Sequence, residues 1–262
     1  MIKYFIKKCI NKCKYEVNRL DTSKRLKKSS SEVESLYHIH EGGRCFIIGN
    51  GPSLKTEDLN KLNGEICFSS HRIYHIFSET DWRPAYYCAQ DEALINASAN
   101  EISHNVHAVK KMIGIIDGHN YKKIEDACYI RLIPEEFYPE LPNFSENPVE
   151  GIFEGYTVTY MCIQLAVYMG FKEIYLLGVD HNYSVTYAPD GNIEKQEGVQ
   201  DHFSKKDYIA NIPQIYRSTL AYKAAKKYAD GHGIKIYNAT RGGRLEVFER
   251  VDFDSLMKGD TK

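Results

Sequence analysis

Three groups of residues in this 262-residue chain are of a type and spacing that could do chemistry. The first is the turn Gly49-Asn50-Gly51-Pro52-Ser53, which is too tight for most side chains. A strand running into such a turn and out into a helix gathers several backbone N–H groups near one point, which suits a phosphate. The spacing is neither the dinucleotide fingerprint nor the P-loop, since no Gly-Lys-Ser/Thr follows. A plain strand-to-helix turn would look the same. The second group is Asp180 with His181, at the end of another apolar run. A carboxylate there can hold a ribose hydroxyl, bind a metal, or simply cap the next turn. The third is His202, beside Asp201 and near Lys205 and Lys206. An imidazole titrates near neutrality and so suits general-base work, although a polar segment also carries histidines with no role beyond the surface. Asp252-Phe253-Asp254 has the Asp-x-Asp spacing of some metal sites but falls in a charged C-terminal tail. There is no GxSxG, no HExxH and no metal-type Cys/His spacing.

These residues need elements that bring them to one edge. Cys45 to Ile48 reads as a buried strand feeding the glycine turn. Thr56 to Leu62 reads as a short helix, with Thr56 as its cap and Glu57 and Asp58 in its first turn. Glu65 to Ser69 and Ala85 to Ala89 read as strands ending in polar residues, Ser69-Ser70-His71-Arg72 and Gln90-Asp91. Asp91 to Glu101 is helical, Met112 to Ile116 and Tyr129 to Ile133 are strand-like, and Pro134 to Pro148 is a proline-rich loop. Gly155 to Gly170 is the clearest helix, with Thr157 to cap it and Gly170 to end it. Glu173 to Leu177 is a core strand, Pro213 to Tyr228 a helix, and Ile234 to Tyr237 a last strand. The alternation predicts an α/β, Rossmann-like, mostly parallel doubly wound sheet, with ligands at the carboxyl ends of its strands. Ser184 to Lys206 is polar and little patterned, with Asp190-Gly191 as a turn; a lid over about 184–207 is the expectation.

Composition narrows the class. Apolar residues make up 43%, enough for one medium core, and 20 tyrosines serve polar clefts as well as packing. Seven cysteines with no CxxC pair read as reduced thiols of a cytoplasmic protein. Residues 1–28 hold ten Lys or Arg against Glu16 and Asp21, a net of +8, which leaves −9 on the rest. A basic head on an acidic body does not describe a nucleic-acid-binding domain. Ile2, Phe5, Ile6, Cys9, Ile10, Cys13, Val17 and Leu20 recur at helical spacing among lysines. The segment is too interrupted to span a bilayer. It could lie on an anionic inner membrane leaflet, dock on its own domain, or fray. Thr22 to Glu32, rich in Lys and Ser, reads as a linker. The division expected is a basic helix and linker over 1–40 and a nucleotide-binding domain over 41–262.

Gly49-Asn50-Gly51-Pro52-Ser53-Leu54, Tyr160-Met161-Cys162, Gly170 to Leu176 and Gly178-Val179-Asp180 resemble blocks of the bacterial sialyltransferases of glycosyltransferase family 42. The same blocks resemble a broader family that includes archaeal 6-hydroxymethylpterin diphosphokinase and proteins of surface-polysaccharide clusters. The first resemblance implies a Rossmann-like variant of the transferase A fold and an inverting reaction without a metal cofactor. It also implies a CMP-activated nonulosonic acid as donor substrate, a glycan or glycolipid acceptor, and a homo-oligomer. On it, Gly49, Asn50, Gly51, Pro52 and Ser53 approach the donor phosphate, and Thr157 and Asp180 contact the nucleotide. Tyr183 and Tyr187 stabilise the departing phosphate, and His202 is the general base in the lid. His71 and Gln90 stand where that family keeps two donor-binding asparagines, and no arginine stands between Gly151 and Tyr156 where it keeps one. The broader resemblance implies instead diphosphate transfer from ATP with magnesium, for which Asp91, Asp180 and Asp201 are candidate ligands. A non-catalytic nucleotide-binding module is the third reading.

Overall fold

Apolar runs such as Cys45-Phe46-Ile47-Ile48 and Ile174-Tyr175-Leu176-Leu177 can be buried on both faces only in a parallel sheet covered by helices. The computed structural model, which describes residues 2–204 and 211–258 with side chains from residue 7 onward, has that architecture. In order, the chain forms α1 (Ile2–Glu34), β1 (Arg44–Ile48), α2 (Thr56–Lys61) and β2 (Cys67–Ser70). A 3-10 turn (Ile73–Ile76), β3 (Tyr86–Ala89), α3 (Glu92–Asn105), β4 (Lys110–Ile115), β5 (Ala127–Ile133) and β6 (Ile152–Phe153) follow. The second half comprises α4 (Val158–Tyr168), β7 (Glu173–Leu177), β8 (Val185–Tyr187), β9 (Ile193–Lys195) and α5 (Ile215–Gly231). Last come β10 (Lys235–Asn238), β11 (Glu249–Arg250) and α6 (Phe253–Lys258).

Nine strands form one sheet in the order β11-β10-β7-β1-β2-β3-β4-β5-β6, and every neighbouring pair in it is parallel. From β1 the chain winds outward through β2 to β6, then returns to lay β7 on the other side of β1. The order therefore reverses between β1 and β7, and the crevice at their carboxyl ends is where open α/β sheets take ligands. Helices α1, α4 and α5 cover one face, and α2, the 3-10 turn, α3 and α6 cover the other. Helix α4 is buried along almost its whole length, which explains why its apolar residues run all round it.

Most expected elements fall within a residue or two of their positions, and the differences have physical causes. Thr22 to Glu32 is no linker but the second half of α1. Its small polar residues face the sheet: Thr22 and Ser29 are buried, Ser29 Oγ accepts from Tyr129 N at 2.9 Å, and Thr22 Oγ1 accepts from Gly118 N at 3.3 Å. Tyr15 packs so closely on Gly118 that a Cβ there would meet its ring at 2.1 Å. Thr56 is the first residue of α2 and caps nothing; Lys55 holds the cap position, and the Thr56 hydroxyl donates to Glu79 at 3.3 Å. The expected lid contains an antiparallel hairpin, β8–β9, turned at Asp190-Gly191. Lys205 and Lys206, with the end of that segment, lie outside the described residues. Asp254 of the Asp-x-Asp is held by Lys61 at 2.6 Å and by Arg241 at 2.9 Å, and Phe253 is buried, so the segment closes the core. No helix among the described residues is long and apolar enough to cross a membrane.

The contacts of α1 separate it into two parts. Removing residues 1–13 is expected to leave the thermal midpoint unchanged. Removing residues 1–28 strips Tyr15, Thr22 and Arg25 from the sheet, and should lower the midpoint by about 2–4 °C for each kcal/mol lost. Equal midpoints for the two truncations would show that α1 contributes nothing to the domain.

Candidate functional site

The turns after β1 and β7 cross at the switch point, and glycine is what lets them. A Cβ on Gly49 would meet the Gly178 carbonyl oxygen at 2.3 Å, and one on Gly51 would meet Asp180 Oδ2 at 1.8 Å. Gly178 itself has φ +69°, a left-handed conformation that side chains disfavour. The crossing is sealed by hydrogen bonds: Gly49 N to Leu177 O at 2.8 Å, Gly51 N to Gly178 O at 2.9 Å, and Ser53 Oγ to Asp180 Oδ2 at 2.7 Å. Leu54 N donates to Gly51 O. The N–H groups expected to form a phosphate nest on this turn are thus largely engaged inside the protein. Pro52 is exposed, and neither it nor Ser53 lines the cleft; Ser53 instead holds Asp180. Asp180 is supported from behind as well, where its carbonyl accepts from Arg244 N at 2.7 Å.

Above this crossing lies a cleft of about 480 Å³. Gly49, Asn50, Gly51, His71, Gln90, Thr157, Asp180, Tyr183, Tyr187 and His202 all line it, so residues spread over some 150 positions converge. The first turn of α4 opens onto the same space. Thr157 caps that helix, accepting from Thr159 N at 3.3 Å, and its hydroxyl touches the Tyr222 hydroxyl at 3.3 Å. The positive end of an 11-residue buried helix therefore faces the cleft, whereas α2 begins outside it. The segment carrying His202 is tied down at Phe203, whose N–H donates to Asn50 O at 2.9 Å. Asp201 fastens its other side, accepting from Ser184 N and Ser184 Oγ, each at 2.6 Å.

Two observations mark the cleft as more than a gap between loops. Five non-glycine residues among those described have positive φ, and His71 (+50°), Tyr156 (+56°) and His181 (+51°) all line it. Such backbones cost about 1–3 kcal/mol each and gather at functional sites. In addition, Asn50 Oδ1, His71 Nε2, Gln90 Oε1 and Asn182 Oδ1 are buried with no hydrogen-bond partner among the described residues. An unsatisfied buried acceptor costs about 1–3 kcal/mol, and a bound polar ligand would satisfy it. Of the cleft residues, Tyr156 left no trace in the sequence, because it follows a two-residue strand and is held by an unusual φ. Glu154 and Asn182 sit beside recognised turns but carry no pattern of their own.

Electrostatically the lining is driven toward neutral forms. Burial lowers His71 to about 4, with nearby Asp91 opposing and His202 and Arg72 reinforcing the shift; burial alone lowers His181 to about 4. Burial raises Asp180 against the Ser53 hydrogen bonds, and it raises Glu154 with help from Asp91. Burial pushes the Tyr183 phenol up, so it stays a proton donor at neutral pH. The three carboxylates considered as magnesium ligands already have protein donors. Asp91 accepts from Leu94 N at 2.9 Å and Asn211 Nδ2 at 2.6 Å, Asp180 from Ser53, and Asp201 from Ser184. Among the described residues no three His, Cys, Asp or Glu side chains converge as metal ligands.

The two depressed histidines make stability pH-dependent with a definite sign. In the unfolded chain they take protons near 6.5, in the fold only near about 4, so their contribution is complete above 6.5 and is lost as pH falls toward 4. Urea unfolding at about pH 5 should give about 1–2 kcal/mol less stability per buried imidazole than at about pH 7.5, and His181→Gln should flatten that slope. An unchanged slope in the variant would contradict the assignment.

Comparisons with known proteins agree with this architecture. Among solved structures, the MAf glycosyltransferase from Magnetospirillum magneticum AMB-1 superposes with a TM-score of 0.50 at 14% identity. The match covers 89% of this chain and 40% of that one, so the chain spans well under half of that neighbour's length, and what the two share is the fold. No curated protein matches the sequence. A family model described as 6-hydroxymethylpterin diphosphokinase MptE-like matches residues 18–186, from the second half of α1 through β8. That is more than half the chain and takes in the cleft residues from Gly49 to Tyr183, though not Tyr187 or His202; the protein belongs to the MptE-like family.

Proposed function

We propose that this protein is an inverting, metal-independent glycosyltransferase that moves a sialic acid or related nonulosonic acid from a CMP-activated donor to a surface-glycan acceptor. The observation that carries the reading is the cleft itself: an α4 amino terminus, a glycine crossing with Asp180, two tyrosines and His202 around one space at the switch point. The helix end favours the nucleotide phosphate, and Thr157 can donate its hydroxyl there. Asn50 Oδ1 and Gln90 Oε1 are acceptors suited to the donor's hydroxyl or amino groups. In the reaction the acceptor hydroxyl gives its proton to His202 and its oxygen bonds to the anomeric carbon. The bond from that carbon to the phosphate oxygen breaks, and CMP leaves with the electron pair. Tyr183 and Tyr187 donate hydrogen bonds to the departing phosphate. Protein donors on Asp91, Asp180 and Asp201 favour this reading over a magnesium-dependent diphosphate transfer. The exposed, lysine-rich part of α1 from Lys7 onward, with Ile10, Val17 and Leu20 in water, suits a protein working at an anionic membrane surface.

Thermal-shift measurements with CMP, CDP, UDP and ATP, each with and without magnesium, separate the alternatives. A CMP-selective rise of the midpoint, unaffected by chelator, is expected, because a ligand bound only by the fold stabilises it. A magnesium-dependent ATP shift would instead support the diphosphotransferase reading. His202→Ala should keep CMP affinity and lose turnover by about 100-fold or more. Undiminished turnover would remove His202 from the mechanism.

A further inference from the structure

A second pocket, of about 310 Å³, adjoins the cleft on the side of the hairpin. Tyr187 and Gln214 line both spaces, so the two are adjacent. Its walls are unusual for an enzyme surface. Tyr138, from the proline-rich loop, and Tyr216, from the first turn of α5, are 37% and 43% exposed. Their ring centroids are 5.3 Å apart at 60°. Two large aromatic faces left in water by different elements, yet braced against each other, form a prebuilt platform. The rim is polar and has no net charge. Arg217, the one charged side chain among its described lining residues, is paired with Glu136 and donates to the Tyr156 hydroxyl at 3.2 Å. Its guanidinium is thereby fixed 4.9 Å over the Tyr156 ring, beside the cleft.

We propose that this pocket is the acceptor subsite and that it takes a neutral saccharide. A pyranose has an apolar C–H face and a ring of hydroxyls around it. The tyrosine faces match the former, while Gln214 and the fixed Arg217 N–H groups match the latter. The volume lies at the low end of the range for small-molecule sites, about 300–1,000 Å³, and suits a short terminal unit rather than a long glycan segment. An acidic sugar would bring a charge that Arg217, already neutralised by Glu136, has little capacity to balance. Tyr187, which lines both spaces, sets the pocket directly beside the cleft proposed for the donor. This inference rests on the transferase reading above, because a saccharide subsite beside the cleft has no part in a pterin diphosphokinase.

Saturation-transfer NMR on the full chain tests it, with lactose, maltose and N-acetyllactosamine as neutral probes and glucuronic acid as the acidic one. CMP binding is followed in parallel by calorimetry. At least one neutral disaccharide is expected to receive saturation through its ring protons, and glucuronic acid to receive none. Tyr216→Ala should weaken the neutral sugar by about tenfold or more, and Tyr216→Phe should keep it within about twofold, with CMP affinity unchanged in both. Failure of every neutral probe, preferential binding of glucuronic acid, or full binding by Tyr216→Ala would overturn the subsite. If CMP binds and no sugar does, the subsite falls and the donor reading stands. If a sugar binds and no nucleotide does, the donor reading falls and the acceptor role with it, while the saccharide-binding pocket stands.

Discussion

The distance between the turn after β1 and the turn after β7 governs the rest of the site. Those strands are adjacent and parallel, and their exits run against each other with no room for a Cβ at Gly49 or Gly51. The contact pulls Asp180 under the first turn, where Ser53 holds it, and the loop at Gly243 and Arg244 packs against its backbone. That loop is anchored in turn by Arg241, which pairs with buried Asp58 at 2.9 Å and so joins α2 to the end of β10. Breaking such a pair from one side strands a buried charge and costs about 3–5 kcal/mol. A chain of short contacts therefore runs from the far edge of the sheet to the floor of the cleft.

What sits on that floor is costly on its own. Three left-handed non-glycine backbones and four unsatisfied polar atoms are gathered in one place, in a protein whose two cores are otherwise closely packed. Aliphatic and aromatic burial on both faces of the sheet offsets that cost, as it does for strained sites in general. The depressed histidines and raised carboxyls point the same way. Burial shifts each of these groups toward its uncharged form, and the amino end of α4 and Arg72 add positive potential to a cleft that Asp91, Asp180 and Asp201 also line.

Much of this was legible in the sequence. The strand endings at Gly49, His71, Gln90 and Asp180 announced polar residues gathered at the carboxyl ends of successive strands, because period, glycine and polar residues all agreed there; which strands adjoin at the reversal was not readable. Thr157 and Gly170 marked the ends of α4 correctly, since capping is local chemistry. The linker reading of residues 22–32 failed because Lys and Ser look solvated until a sheet surface is present; Thr22 and Ser29 use their hydroxyls against that surface. The phosphate nest failed for a similar reason. Composition shows that Gly51 can approach something closely, not that the something is Gly178 and Asp180. The Tyr138–Tyr216 platform depends on a loop and a helix meeting across 78 positions of chain, and no local pattern encodes such a meeting.

The central claim is that the switch-point cleft holds a nucleotide by its phosphate. The most direct measurement is a crystal structure of the protein grown with CMP. The phosphate is expected within hydrogen-bond distance of Thr157 at the start of α4, with the nucleoside beside Asn50 and Asp180. CMP ordered elsewhere on the molecule, with this cleft occupied by solvent alone, would contradict it.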